Sequence, residues 1–444
     1  MKVAIVGAGI SGLFLTRQLI KTYKDIEVHV FERAKAPGGK LRSVCQNGEV
    51  LEKGPWRIAT THHKMLELMK ADVNDIPNKK YFWYPTTQSV KVPEYSKDAD
   101  LSIFAARMLD YGIEGASEMD ILSGYMGIDE QPAECLDRHG GKFFGLRKGY
   151  AYIIKHLYIQ LKEHKCIHWH CATMVKDVHC QDSHVFVRAM SISTGACSTQ
   201  FFDKLIFACS PNQASVCSGR QLQMHLRPLK SAIKPLPLCR IYRSRMTEDF
   251  SDTINPSKIE YRQINVNEHH NIYSYTTGKL ADAWRGIYAK YLSTNSNFKH
   301  YFWPEGTHMW RSFFNSCTSR MARLSVTVTK NVFIAGEAVS DMQGWSEGAL
   351  RSCDGVLSVI DAVSIANTEW KQMYEKNHPG SRIVFYKQRA IDVSQWQHLH
   401  PGGPEIIQNI ETYAVGLDIS DRFDNAHLND HAFGQLFALQ VGFN

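Results

Sequence analysis

Three glycines within the first dozen residues constrain this chain more than any other feature. Gly7, Gly9 and Gly12 stand as G-x-G-x-x-G, after the apolar run Lys2–Val6 and before an amphipathic stretch over 10–23. In such a strand–turn–helix the first glycine permits a tight turn. The second lets the backbone approach a pyrophosphate, and the third lets helix and strand pack closely. Ser11 belongs to the same turn. The helix N-terminus then offers unpaired N–H groups to the phosphates. Residues 27–31 alternate and predict a second strand. Glu32 follows Gly12 by 20 residues, where an acid accepts hydrogen bonds from ribose hydroxyls. The spacing predicts a dinucleotide-binding β-α-β unit that starts at the first residue.

At 444 residues the chain has room for about three structural units. A hydrophobic fraction of 44% excludes wholesale disorder, and 30 Gly with 15 Pro excludes a collagen-like or coiled-coil chain. No stretch reaches the ~18 uninterrupted apolar residues of a membrane helix. The N-terminal apolar run ends in glycines, which reads as a buried strand and not as a signal peptide. Lys+Arg number 51 against 44 Asp+Glu, a net charge of +7 spread along the chain. That balance suits an anionic cofactor or surface and does not argue for nucleic acid. The 11 cysteines, an odd number without a secretory signal, read as free thiols, so a cytoplasmic location is expected.

The sequence after Glu32 narrows the cofactor. Glu32-Arg33-Ala-Lys-Ala-Pro-Gly38-Gly39-Lys40-Leu-Arg42 carries a second glycine pair, with Arg33, Lys40 and Arg42 able to neutralise phosphate. Glu52-Lys-Gly54-Pro55-Trp56-Arg57 follows. These segments resemble the flavin-dependent amine oxidase superfamily, which includes monoamine and polyamine oxidases, protoporphyrinogen oxidase and phytoene desaturases. The Gly54-Pro55-Trp56-Arg57 segment is most similar to the protoporphyrinogen oxidase branch. Asn331-Val-Phe-Ile-Ala-Gly336-Glu337 and Gly344-Trp345-Ser346-Glu347-Gly348-Ala349-Leu350 resemble the superfamily's second flavin motif. Lys148-Gly149-Tyr150, Met174-Val175 and Lys204–Pro211 resemble its internal landmarks, so the resemblance spans about 1–365.

The resemblance implies an α/β Rossmann-type FAD-binding fold over 1–60, 146–211 and 326–366, with a mixed α+β substrate domain over 61–145 and 212–325. It implies FAD held by the glycines already named, by Glu32, Arg33, Lys40, Gly54, Pro55, Trp56 and Arg57, and by Gly336, Gly344 and Ala349. It also implies Val175 against the adenine and Glu337 at the ribityl–phosphate region. A helix opening near Glu347 would turn its N-terminus toward the flavin pyrimidine ring, where it stabilises negative charge. The FAD is expected to be non-covalent, since Cys317 lacks the S-G-G-C-Y context of the animal monoamine oxidases. Trp345 and Trp310 are the implied walls of an aromatic amine cage. Arg240 falls on roughly the strand where the superfamily carries a lysine beside flavin N5, and it completes the expected catalytic set.

Two smaller features stay open. His164, Cys166, His168, His170, Cys171, His179 and Cys180 are metal-ligating types, but no C-x-x-C or H-x-x-x-H pair meets a second such pair. Alternation over 166–171 fits a strand with a polar face, which is the preferred reading over a metal site. The basic run Arg240–Arg245 alternates as well, and is read as a solvated face ahead of a contact for an anionic substrate.

The polar stretch 367–380 reads as a linker, and 381–444 has a character of its own. Asp392-Val393-Ser-Gln-Trp396 with His400-Pro401-Gly402-Gly403 resembles cytochrome b5. That resemblance implies a small α+β domain holding haem b between His400 and a second histidine, His427 or alternatively His431. Paired histidines saturate the iron and suit it to electron transfer. The other reading of the tail is a haem-free docking module. Taken together, the expectation is an FAD-dependent oxidoreductase that oxidises an amine-type small molecule by hydride transfer. Its electrons would go to the fused haem, to O2 or to an external partner protein. The alternatives are a protoporphyrinogen oxidase- or desaturase-like enzyme and a flavin-stabilised scaffold.

Overall fold

The structure is a computed structural model. It describes residues 1–46, 49–55, 58–59, 62–72, 81–84, 143–146, 148–181, 184–244, 264–265, 270–277, 298–310, 325–360, 368–386, 389–394, 418–427 and 439–443, with 285, 289, 396, 400, 405–406, 432 and 436.

A six-stranded sheet frames the molecule, built from β1 (Lys2–Val6), β2 (Glu27–Phe31), β8 (Ile167–His170), β12 (Lys204–Phe207), β17 (Thr327–Thr329) and β18 (Val332–Ile334), in the order β17-β18-β12-β1-β2-β8. Every neighbouring pair is parallel except β17–β18 at one edge. Val3, Ala4, Ile5, Leu205, Ile206 and Phe207 are wholly buried, as central strands covered on both faces must be. Helix α1 (Ile10–Thr22) returns across the sheet and buries Leu13, Leu15 and Leu19. The expected β-α-β unit is therefore present with its expected limits.

The chain between β2 and β8 carries the hairpin β3 (Ser43–Gln46) and β4 (Glu49–Glu52), and the small sheet of β5 (Ile58–Ala59), β7 (Phe143–Leu146) and β6 (Tyr81–Tyr84). It also carries α2 (His63–Asp72) and α3 (Ala151–Leu161). An antiparallel meander of β9 (Thr173–Gln181), β10 (His184–Ser191) and β11 (Cys197–Phe202) follows β8. Short α4 (Pro211–Val216) and α5 (Arg220–Ala232) lead into a four-stranded antiparallel sheet. Its strands are β13 (Ile233–Ser244), β14 (Ile264–Asn265), β15 (His270–Thr277) and β16 (Phe298–Trp310), in the order β14-β15-β13-β16. After β18, helix α6 (Ser346–Val359) packs against α1 and closes the core.

The stretch expected to be a linker holds a helix, α7 (Thr368–Asn377). Its polar composition hid an i,i+4 pair, Lys371 to Glu375 at 2.8 Å, of the kind that supports a solvated helix. The tail forms β19 (Ile383–Tyr386), β20 (Arg389–Asp392), β21 (Gln440–Phe443) and α8 (Ser420–Ala426). Val384, Tyr386, Ile391, Val393, Ile419 and Leu436 make its own small core, with Trp396 and Phe423 packed against it. Arg389 is fully buried and ties the tail to the body, donating from Nη2 to the carbonyls of His225 (2.9 Å) and Val328 (3.4 Å). Among the described residues no helix is long and apolar enough to cross a membrane.

Gly12 makes one of the tightest contacts of the frame: a Cβ there would lie 2.0 Å from the Gly7 carbonyl oxygen. Gly12→Ala is expected to cost about 1–3 kcal/mol by overpacking. A thermal unfolding midpoint equal to that of the parent would refute this account of the turn.

Candidate functional site

The two glycine turns meet at the C-terminal end of β1. Gly38 N–H donates to the Ala8 carbonyl at 2.9 Å, and a Cβ built on Gly39 would lie 3.0 Å from the Gly9 Cα. Gly7 takes φ +111 and Gly39 φ +56, conformations that side chains rarely adopt. Two backbones thus face one another with no side chains between them. Gly9 is also the N-cap of α1, with no side-chain cap and no acid in the first turn, so the helix leaves its N–H groups and partial positive charge available. A pyrophosphate fits this cradle by charge and by shape. Glu32 stands beside it, its carboxylate accepting from the backbone of Ala8 (2.9 Å) and Ala34 (2.8 Å). Arg33 is exposed at the same rim, and Val175 is buried on β9.

Across the site, Glu337 collects three donors from distant segments. His308 Nδ1 lies 2.6 Å and Lys40 Nζ 3.2 Å from Oε1, while the Gly344 N–H reaches Oε2 at 2.9 Å. Burial alone would raise the pKa of this carboxyl. The charges of His308 and Lys40, with the hydrogen bonds from His308 and Gly344, outweigh that and bring it down to about 2. His308 is 3% exposed, and its Nε2 has no hydrogen bond among the described residues. Gly336 precedes Glu337 at φ +143, and its N–H is held by Ser352 Oγ at 2.9 Å.

The segment Glu52-Lys53-Gly54 is clamped by the large antiparallel sheet. Arg240 Nη1 donates to the Glu52 carbonyl (2.9 Å) and to the Tyr242 hydroxyl (2.8 Å). Tyr242 in turn donates to the same carbonyl at 2.7 Å, and Trp303 Nε1 reaches the Lys53 carbonyl at 2.7 Å. Arg240 is wholly buried, so in this geometry it positions the turn. The Glu52 side chain accepts from Tyr150 N–H (2.8 Å) and Ser43 Oγ (2.8 Å). Gly54 has no room for a Cβ, which would meet the Lys40 carbonyl oxygen at 2.1 Å.

Other expected site residues are arranged differently. Trp310 is 2% exposed, its backbone N–H bonded to Gln343 (2.5 Å) and its indole N–H to the Ser340 carbonyl (3.0 Å). It is a core tryptophan and not a free cage wall. Trp345, the N-cap of α6, is partly exposed and meets His62 edge-on at 4.7 Å. Glu347 is 1% exposed and accepts from the backbone of Lys64 (3.1 Å) and Met65 (2.8 Å), so it caps α2. Ala349 and Ser11 are buried at the α6–α1 contact. Trp56 and Arg57 lie outside the described residues, while Pro55 is partly exposed.

In the tail, His400 and His427 come together with ring centroids 6.0 Å apart and planes at 89°. Two imidazoles on opposite sides of one metal ion stand about that far apart, each metal–N bond being about 2 Å. His427 Nδ1 sits 3.1 Å from the Phe423 carbonyl, a bond that places the proton on Nδ1 and leaves Nε2 as a ligand. By spacing and donor type the two rings suit one metal ion held between them. His431 and Pro401–Gly403 lie outside the described residues.

Sequence reasoning missed His308, Tyr242 and Trp303. Their only sequence signal was alternation along the strands that also carry Arg240 and Trp310.

A family model described as an NAD(P)-binding Rossmann-like domain matches residues 5–71. Coproporphyrinogen III oxidase of Staphylococcus aureus is 40% identical over 68 residues, which is 15% of this chain and 15% of that protein. Protoporphyrinogen oxidase of Saccharomyces cerevisiae is 31% identical over 110 residues, 21% of this chain and 20% of its own length. The chain thus spans a fifth or less of the length of these curated relatives. A solved structure of a putrescine oxidase variant redesigned in cofactor binding superposes with TM-score 0.56 at 14% identity, over 82% of this chain and 99% of that one. The chain has a Rossmann-like α/β fold.

Burial lifts Glu52 from its ordinary 4.5 to about 7, against the pull of Ser43, Tyr150 and Arg240. Between those values the folded state holds a proton that the unfolded state has lost. The stability this proton confers is complete below about 4.5 and disappears as pH rises through about 7. Denaturant titrations from pH 4.5 to 8 should show this decline, roughly 3 kcal/mol at most, in the parent and not in Glu52→Gln. Parallel pH profiles for the two proteins would rule it out.

Proposed function

We propose that this chain is an FAD-dependent oxidoreductase acting on a small molecule, with non-covalent FAD in the cradle between the glycine turns. The observation that carries the reading is the bare approach of Gly39 to Gly9 at an uncapped helix N-terminus. FAD, when bound, supplies a hydride acceptor, and haem b in the tail a one-electron carrier. The chain's own residues bind and orient. The N–H groups of α1 take the pyrophosphate, and Glu32 exchanges its bonds to Ala8 and Ala34 for ribose hydroxyls. Glu337, ionised by His308 and Lys40, fixes the turn at Gly344 from which Trp345 and α6 start. Arg240, Tyr242 and Trp303 hold the segment 52–54 rigid. His400 and His427 are the haem ligands of this reading.

The substrate proposed first is an amine, with Trp345 as one aromatic wall. A second reading, a porphyrinogen or other polyunsaturated substrate, gains weight from Trp310, which is packed into the core and leaves the amine cage without its expected second face.

The test is an anaerobic absorbance spectrum of the purified chain, before and after a panel of amines and porphyrinogens. Flavin bands with a Soret band are expected, and the substrate class is the one that bleaches the flavin. His427→Ala should lose the Soret band and keep the flavin. A protein without flavin bands, even after incubation with FAD, would sink the reading. Flavin bands with no Soret after haem addition would leave the tail a docking module.

A further inference from the structure

The histidine-rich strand after α3 has no part in the function proposed above. Strands β2 and β8 run side by side with His29 opposite His168 and Phe31 opposite His170. Alternate residues of a strand share a face, so Glu27, His29 and Phe31 stand on the same face as His168 and His170. The side chains do meet. His29 Nε2 lies 2.6 Å from Glu27 Oε1, His168 Nε2 lies 3.4 Å from the same oxygen, and His29 Nδ1 lies 2.9 Å from His170 Nε2. One ligand atom from each of Glu27, His29 and His168 falls within 4.8 Å of the others.

We infer that Glu27, His29 and His168 form a binding site for a divalent cation of the zinc type, bridging the edge strand β8 to β2. Imidazole nitrogens with one carboxylate suit zinc and its first-row neighbours. Magnesium and calcium take oxygen ligands. Bonds of about 2.0–2.1 Å place tetrahedral ligand atoms roughly 3.4 Å apart. The separations of 2.6 and 3.4 Å therefore need only a small outward adjustment. Glu27 and His168 are about half exposed, at 45% and 47%, so the cation has an entry path and water has the fourth position. The ring of His168 now stacks on that of His29 at 4.4 Å and must turn to aim Nε2 at the metal, which its exposure permits.

The surroundings supply a second layer. When His29 binds through Nε2, its proton sits on Nδ1, and His170 Nε2 is placed to accept it. His170 is fixed in turn by stacking on Phe31 at 4.5 Å, and Phe202 closes the far side of His29 edge-on at 5.1 Å. The opposing feature is Lys2, whose Nζ stands 3.8 Å from Glu27 Oε1 and competes for the carboxylate. A cation has to displace it.

The full chain, stripped with a chelator and dialysed against zinc alone, tests this site. Histidines and cysteines elsewhere in the chain are zinc-ligand types, so the measurement is a difference between parent and variants. The parent should retain one more zinc per chain than His168→Ala or Glu27→Gln, with an affinity for that zinc more than about tenfold higher. Lys2→Ala should bind it more tightly. Zinc should raise the thermal midpoint of the parent by mass action and leave that of His168→Ala lower. Circular dichroism and flavin content, unchanged in the half-exposed His168→Ala, separate loss of the site from loss of the fold. Equal zinc stoichiometry and affinity in the parent and His168→Ala would overturn the assignment, whatever the flavin spectrum shows.

Discussion

The carboxylate of Glu337 is where the architecture comes together. Lys40 reaches it from the second glycine turn, His308 from the antiparallel sheet, and the Gly344 amide from the turn that launches α6. A carboxylate buried alone would neutralise itself. Here its donors hold it ionised to about pH 2, so the charge is a permanent feature of the fold. Removing one partner would strand charge in a poorly hydrated place, which is costlier than the pair is stabilising. The position of the antiparallel sheet relative to the glycine turns is therefore set by charge as well as by apolar packing.

A second clamp has the same logic with a different chemistry. The segment 52–54 is pinned through its backbone carbonyls by Arg240, Tyr242 and Trp303. The donors come from the four-stranded antiparallel sheet and the acceptors from the end of β4 and the residue that follows it. The Glu52 side chain, by contrast, sits neutral at mildly acid pH because desolvation outweighs its neighbours. One short segment thus contains a fixed hydrogen-bond anchor and a titrating group.

What the sequence made legible was local. Gly7, Gly9, Gly12 and Glu32 could be read because a tight turn and a strand end impose their demands over a few residues. The β-α-β limits followed directly. The roles of Arg240, Trp310 and Glu347 were not legible, since alternation gives the strand and not what lies opposite it. Arg240 lay on the anticipated strand but faces a carbonyl 188 residues away. Trp310 had the right chemistry for a cage, but its indole is engaged by Ser340. Glu347 opens α6 as expected and spends its carboxylate on α2. His308 was marked only by the alternation of its strand, which does not say what lies opposite it. His400 and His427, picked out by their place in the sequence, lie with ring centroids 6.0 Å apart.

Arg389 gives the tail a character that its small separate core does not suggest. Its guanidinium is buried and bonded to backbone carbonyls of α5 and β17, and burial lowers its pKa only to about 10, so it stays charged there. A segment with its own small core on a flexible tether would sample many orientations against the body. The buried Arg389 guanidinium, bonded to two body carbonyls, locks this tail to α5 and β17 instead, so loosening the tail would strand a charge inside the body.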